Sequence, residues 1–370
     1  MLGRPVTVGF IGAGNVLPAY LQVLDRLGPR GLAAVGPVHG RNPSALAELR
    51  RRRPSIELCD DVEGVLRADV DAVVVITPPG AHAELAQRAL ESGKHVLVEK
   101  PFAETRAAGE ALARTANERG LHLVAAPFVQ LAPTFRVLWT LVTDGAIGHP
   151  HSARGLYGNA GSHWATWYHT GRVGPFAELG VYNVKSLTAL LGPVVEVLAA
   201  EASVVRQRSI AGSVVSGLDP DVSHVILRHA DGALSTVTSS QAIQRYRRPG
   251  LEVYGTEGTA NLLGDDWDPR GLEVWRNDAG NWEVYEPVEP TWLWADGLRE
   301  LVLAIHDGRQ PRVSVEHDLH LLDVIEAVAL AATERSSVPV ASSFGPLDLR
   351  YDDGADRTHL HDHTRPADEQ

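Results

Sequence analysis

Three residues in the stretch GPFAELGVYNVK, 174–185, carry chemistry that their neighbours lack. Glu178, Tyr182 and Lys185 are spaced i, i+4, i+7, which on an α-helix sets a carboxylate, a phenol and an ammonium within roughly 60° of arc. Around them stand Phe176, Leu179, Val181 and Val184. Such a stripe reads either as a solvated helix face or as a proton-handling site. Taking a hydride from an alcohol carbon needs a base for the hydroxyl proton, and the reverse needs an acid. A free phenol, with a pKa of about 10, is a weak base at neutral pH, and nearby cations favour its ionised form. Lys100 and Lys185 are candidates for that cation. Tyr182 is therefore read as the proton carrier, with Glu178 orienting a substrate hydroxyl, pairing with a lysine, or acting as the base itself. Lys185 reads equally well as a surface helix lysine.

A second set of residues has the spacing of a nucleotide site. GFIGAGNVL (9–17) runs from an apolar strand into Gly12-x-Gly14-x-x-Leu17 and then a helix. The first glycine permits the tight turn and the second lets a pyrophosphate approach the backbone at a helix N-terminus. Leu17 stands where a third Gly or Ala is usual. The end of the second strand, VHGRNP, has Gly40 in place of the acid that binds a ribose 2′-OH, followed by Arg41. Without the carboxylate a 2′-phosphate is not repelled, and a guanidinium can bind it bidentately. NADP is favoured over NAD on this ground; the alternative is that Arg41 is a solvated residue at a helix start. Thr77-Pro78-Pro79 and Glu99-Lys100-Pro101 end two later strands, at the sheet edge where open parallel sheets bind ligands. Of 34 basic residues only Lys94, Lys100 and Lys185 are lysines, so each is more apt than usual to be present for its ammonium chemistry.

The elements that must position these groups follow from the patterning. VTVGFI, LAAVGPVH, DAVVVIT, HVLVE and LHLVAA are continuous apolar runs, the mark of strands buried on both faces. Helical segments at about 15–27, 82–92 and 104–120, with another opened by Asn42-Pro43, make residues 1–126 a doubly wound parallel α/β domain. Beyond it the texture changes, with all eight Trp and seven of eight Tyr past residue 138. SHVILRHADGALSTVTSS alternates about Asp231-Gly232 as a hairpin does. Further strands near 250–255, 259–263, 272–276 and 282–286, with helices at 132–143, 176–191, 294–307 and 316–334, give an α+β domain over 127–350 with a large mixed or antiparallel sheet. A polar tail occupies 351–370. His359, His361, Asp362 and His363 lie in it with no scaffold to orient them on a metal.

Composition limits the function. A net charge of −12 argues against phosphate-backbone binding, and no apolar run is long enough to span a bilayer. The first strand flows directly into GAGN, unlike a signal peptide, and a single cysteine, Cys59, fits a reducing compartment. A cytoplasmic protein is expected.

The sequence resembles the Gfo/Idh/MocA family, which includes glucose–fructose oxidoreductase and inositol dehydrogenase. The resemblance rests on GFIGAGN, VITPPGAHAELAQRALESGKHVLVEKP and GPFAELGVYNVKSLTALLGPV and covers nearly the whole chain. It implies an N-terminal Rossmann domain and a C-terminal α+β domain whose open sheet makes a homodimer or homotetramer. It also implies NAD(P)-dependent oxidoreduction of a sugar or polyol, a substrate-contacting catalytic role for Lys100, and a cis Lys100–Pro101 peptide. The family's later motif usually has Asp, then His four residues on, then Asp three further; this chain has Glu178, Tyr182 and Lys185, and Tyr for His occurs in some members. The cofactor set is then Gly12, Gly14, Asn15, Val16, Gly40, Arg41, Asn42, Thr77, Pro78, His82, Glu99 and Lys100. The loop GNAGSHWATWYHTGRVG offers Trp164, Trp167 and Tyr168 for stacking on a sugar ring, and His163, His169 and Arg172 as donors, with Lys185 added on the helix. The alternatives to a dehydrogenase are a lyase or glycosidase that uses tightly bound NAD(P) transiently, and a nucleotide-binding regulator.

Overall fold

The computed structural model describes residues 3–163, 166–170, 174–247, 249–351 and 365–366. The chain divides into two units, Met1–Phe128 with Leu293–Leu322, and Val129–Trp292 with Asp323–Gln370.

In the first unit the Val- and Ile-rich runs become β1 (Val6–Ile11), β2 (Ala33–His39), β3 (Leu58–Cys59), β4 (Ala72–Val75), β5 (His95–Val98) and β6 (Leu123–Ala125). They form one parallel sheet in the order β3-β2-β1-β4-β5-β6. Order reverses between β1 and β4, which opens a crevice at their C-terminal ends. The helices are α1 (Leu17–Leu27), α2 (Pro43–Arg52), α3 (Val62–Arg67), α4 (His82–Glu91) and α5 (Arg106–Glu118). Asn42 caps α2 by accepting from the main-chain N–H groups of Ser44 and Ala45, and Asp61 and Thr105 cap α3 and α5. Ile11, Val73, Val75, Val96 and Val98 from the strands pack with Leu85, Leu90 and Leu112 from the helices.

The second unit contains α6 (Pro133–Thr143), β7 (Pro150–Gly158), α7 (Trp167–Thr170), a π-helical turn at Phe176–Gly180 and α8 (Val181–Leu191). There follow β8 (Val194–Ala202), a hairpin of β9 (Gln207–Ile210) and β10 (Ser213–Ser216), then β11 (Val222–His229), β12 (Leu234–Ser240), β13 (Leu251–Gly255), β14 (Gly258–Asp265), β15 (Asp268–Arg276) and β16 (Asn281–Tyr285). The chain then gives α9 (Gly297–Asp307), in the first unit, α10 (Val315–Glu334), which begins there, and the short β17 (Val338–Pro339) and β18 (Arg365–Pro366). The large sheet runs β17-β8-β11-β12-β7-β13-β14-β15-β16-β18, with β7 and β12 parallel and the other pairs antiparallel. Asp231-Gly232 turns the β11–β12 hairpin, with Gly232 at φ 94°.

The sequence keeps 294–307 with the C-terminal domain, whereas residues 293–322 group with the first unit. A glycine at each contact explains the seating. A Cβ on Gly297 of α9 would strike the Phe128 ring, and one on Gly109 of α5 would meet Leu322 and Leu319 at 2.8 and 3.0 Å. No helix among the described residues is long and apolar enough to cross a membrane.

Candidate functional site

In the first unit a cavity of about 370 Å³ opens at the β1/β4 switch point. Gly12, Gly14, Gly40, Arg41, Asn42, Thr77 and Pro78 line it, as the motifs imply. Gly12 has φ 122°, and a Cβ there would stand 2.5 Å from the Ile76 carbonyl oxygen. Only glycine fits the point where β1 and β4 diverge. A Cβ on Gly14 would meet nothing within 4 Å, so its backbone faces open space. The N-cap of α1, Val16, makes no side-chain cap, and the first turn holds no acidic residue. That end of the helix is left for an anion. The Thr77 hydroxyl is buried without a hydrogen-bond partner among the described residues. A dinucleotide fits these residues: glycine backbone for the pyrophosphate, an uncommitted helix N-terminus, and an orphaned hydroxyl awaiting a polar group.

Three residues assigned from sequence have additional duties within this unit. The Asn42 carboxamide oxygen caps α2. His82 is buried, and its ring nitrogens stand 2.8 Å from the Pro101 carbonyl oxygen and 2.7 Å from that of Thr77. It thereby ties the loops after β4 and β5 together. Glu99 accepts from the Tyr20 hydroxyl at 2.7 Å and, through its other oxygen, from the Lys100 main-chain N–H at 3.0 Å. Tyr20 packs edge-on against Trp294, with ring centroids 5.7 Å apart. Lys100 is thus held at its backbone by a chain of contacts from α1, and the Lys100–Pro101 peptide is cis. Sequence reasoning passed over His39, Ala81, Glu84 and Leu85, which also line the cavity; their only signal is position, beside strand ends and at the start of α4.

In the second unit the polar stripe is not a solvated face. From Pro175 to Ala189 every residue is buried except Tyr182. Glu178 is 2% exposed and Lys185 is 0% exposed. The surface-lysine reading of Lys185 is corrected: α8 is buried except at Tyr182 and Leu190, so position in the helical period is a poor guide to exposure. Glu178 lies in the π-helical turn and Tyr182 in the first turn of α8, so the α-helical arc does not describe their relation. Tyr182 meets Tyr157 edge to face at 5.7 Å, and Tyr157 meets Trp267 at 6.2 Å. Burial, with Tyr182 the first of several nearby groups, pushes the Tyr157 phenol strongly upward. Tyr157 and Trp267 were not legible from sequence, since one ends a strand and the other sits on a hairpin tip.

In the loop before α8, His169 is 2% exposed. Its Nδ1 stands 2.9 Å from Gln241 Oε1 and its Nε2 2.8 Å from the Ser162 carbonyl oxygen. His169 is therefore a loop anchor, and its expected role as a substrate donor is corrected. Tyr168 is half-buried and His163 exposed. Trp164 and Arg172 lie outside the described residues, as do His359, His361, Asp362 and His363; Trp167 opens α7. Among the described residues no group of three or more His, Cys, Asp or Glu side chains is placed to hold a metal.

Comparison with known proteins agrees with this geometry. Residues 6–126 match the GFO/IDH/MocA oxidoreductase family, NAD-binding Rossmann fold, and residues 135–261 match the GFO/IDH/MocA C-terminal domain. The chain is 30% identical over 354 residues to the dTDP-3,4-didehydro-2,6-dideoxy-alpha-D-glucose 3-reductase of Actinomadura kijaniata, covering 90% of this chain and 97% of that protein. It is 26% identical over 299 residues to the D-apiose dehydrogenase of Paraburkholderia graminis, 76% of each chain. Its fold is similar to that of levoglucosan dehydrogenase in complex with NADH, with TM-score 0.80 at 20% identity over 92% of this chain and 100% of that one.

Proposed function

The chain belongs to the GFO/IDH/MocA oxidoreductase family, and from that premise we propose that it is a nicotinamide-dependent dehydrogenase or reductase of a hydroxyl-bearing carbon in a sugar or polyol, with NADP preferred over NAD. The observation that carries the reading is Tyr182, the one residue between Pro175 and Ala189 that is not buried. A helix that hides its glutamate and its lysine while leaving a phenol accessible has the form expected of a proton carrier. Sugar-directed relatives support the substrate class.

When bound, the nicotinamide supplies the hydride acceptor or donor. Gly12, Gly14 and the N-terminus of α1 bind the pyrophosphate, with Thr77 satisfied by the same ligand. Tyr182 takes the hydroxyl proton on oxidation and returns it on reduction. Lys100 stabilises the negative charge that develops on the substrate oxygen. Glu178 orients a hydroxyl or substitutes for Tyr182 as base, and Lys185 favours the phenolate. NADP preference rests on Arg41, which is exposed and lines the cavity, beside a position that carries no carboxylate. Leu198, Ile226 and Leu234 are each more than 40% exposed on the outer face of β8, β11 and β12, which supports self-association through that sheet.

A panel of sugars and polyols followed at 340 nm with NAD and NADP in parallel tests the reading. Turnover of at least one, faster with NADP, is expected. Cofactor that survives gel filtration with no net reduction on any sugar would favour a lyase or glycosidase instead.

A further inference from the structure

The tip of the β14–β15 hairpin, Asp265-Asp266-Trp267-Asp268, touches the helix that carries Tyr182. Asp266 is fully buried. The Asn183 amide nitrogen stands 2.9 and 3.0 Å from its two oxygens, and the Ser186 hydroxyl donates to Oδ2 at 2.9 Å. Asn183 and Ser186, both 0% exposed, are three residues apart on α8 and so share one side of it. One carboxylate thereby takes donors from the two turns that flank Lys185 and adjoin Tyr182. The same hairpin tip reaches Tyr182 by a second route, through Trp267 and Tyr157.

Two glycines press the helix against the sheet. A Cβ on Gly155 of β7 would stand 2.6 Å from Asn183 Cβ, and one on Gly180 would collide with the Ser239 hydroxyl of β12. These contacts fix how close α8 lies to the sheet, and the Trp139 indole N–H ties its far end by donating to the Ala189 carbonyl oxygen at 2.8 Å. The wider π-helical turn at Phe176–Gly180 interrupts the i→i+4 ladder just before Tyr182, so the preceding segment does not lock the rotation. Hydrogen bonds to a charged acceptor are short-ranged and directional, so those to Asp266 add a rotational constraint at the end of α8 that carries Tyr182.

We infer that Asp266 is a positioning residue for the reaction: by holding Asn183 and Ser186 it sets the rotation and axial position of α8 and so the place of the Tyr182 hydroxyl. The catalytic consequence rests on the reading of Tyr182 as proton carrier; the positional one does not.

The test places 3-fluorotyrosine at position 182 and records its ¹⁹F spectrum in the full chain without substrate. A single narrow resonance is expected in the otherwise unchanged protein, and a broadened or split one in Asp266→Ala. Asp266→Asn should restore the narrow line, because Asn keeps an oxygen for Ser186 and offers N–H to a turned Asn183 amide. An unaltered spectrum in Asp266→Ala overturns the inference. If that variant does not fold, Ser186→Ala and Asn183→Ala replace it, and unaltered spectra in both overturn it. With the best sugar of the 340 nm panel, kcat should fall about tenfold in Asp266→Ala with cofactor affinity within twofold, and recover in Asp266→Asn. A parallel loss of kcat and cofactor affinity marks a merely structural role and overturns it. Tyr182→Phe serves as the control: full turnover there sinks the proton-carrier reading and leaves the spectral result to stand or fall by itself.

Discussion

Gly40 and Ala13 are locked together: a Cβ on Gly40 would lie 2.6 Å from the Ala13 methyl. The glycine at the end of β2 is thus a packing requirement as well as the removal of an acid. Grafting a carboxylate at position 40 to create an NAD-type site should therefore fail. Gly40→Asp is expected to lower stability by about 1–3 kcal/mol through overpacking, and Ala13→Gly in the same chain to recover much of it. Arg41→Ala, which meets no such obstacle, should raise KM for NADP about tenfold and alter that for NAD less than twofold. Initial rates with both cofactors check this, and equal effects would remove the 2′-phosphate role from Arg41.

Lys100 owes its place to its backbone, which Glu99 and Tyr20 hold from α1. Lys100→Ala should leave that scaffold intact. Turnover is expected to fall by about 100-fold or more, with cofactor binding, read by fluorescence titration, nearly unchanged. Tyr20→Phe should give a smaller loss by releasing Glu99.

The loop at 159–163 hangs on Arg208. Its guanidinium donates to the Ala160 carbonyl oxygen at 2.7 Å and the Gln241 carbonyl oxygen at 2.6 Å, and pairs with buried Asp221 at 3.2 Å. Removing it leaves a buried carboxylate short of its cation, though Val204 and Val205 N–H groups still donate to Asp221. Arg208→Ala is expected to cost about 2–4 kcal/mol and to admit proteolytic cleavage within the loop. A loop that stays protease-resistant would show that the pair is dispensable.

Asp266 makes stability depend on pH in an unusual direction. Burial pushes its carboxyl from 3.8 up to about 6, against the donors from Ser186 and Asn183 that pull it down. The folded chain therefore holds a proton that the unfolded chain has released, so this stabilisation is full below pH of about 4 and is lost as pH rises through about 6. The range is worth about 3 kcal/mol. Asp266→Asn should gain Tm relative to wild type most at pH 8 and least at pH 4. A constant difference across that range would refute the assignment.

In the first unit the sign is opposite. Burial, and secondarily His122, lower His95 from 6.5 to about 4, and its Nδ1 accepts the His122 main-chain N–H at 2.9 Å. This stabilisation is present above pH of about 6.5 and lost as pH falls through about 4. His95 is partly exposed, so the discounted effect is on the order of 1–2 kcal/mol. His95→Gln should flatten the acid side of the melting curve between pH 7 and 4.

Legibility in the sequence followed the range of the cause. AVVV of β4 and HVLV of β5 announce themselves because burial on both faces demands unbroken apolar runs. Asn42 shows as the start of α2 because capping is local. The two-residue β3 and the polar β7, PHSARGLYG, carry no such periodicity and escaped. Glycine spacing gave the nucleotide cradle, but the reason for Gly40 lies 27 positions away in Ala13. The burial of Lys185 and the grip of Asp266 on Asn183, 83 residues distant, exist only once strands and helix have assembled.

The π-helical turn at Phe176–Gly180 behaves as a phase shifter at the head of α8. A turn that takes in one extra residue breaks the helical spacing, so Glu178 within it and Tyr182 after it do not share one register. Deleting one residue from this turn would restore α-helical spacing and turn Glu178 relative to Tyr182 by about a quarter of a revolution. One surplus residue thus gives the buried Glu178 carboxylate a heading that a continuous helix through Tyr182 would not allow.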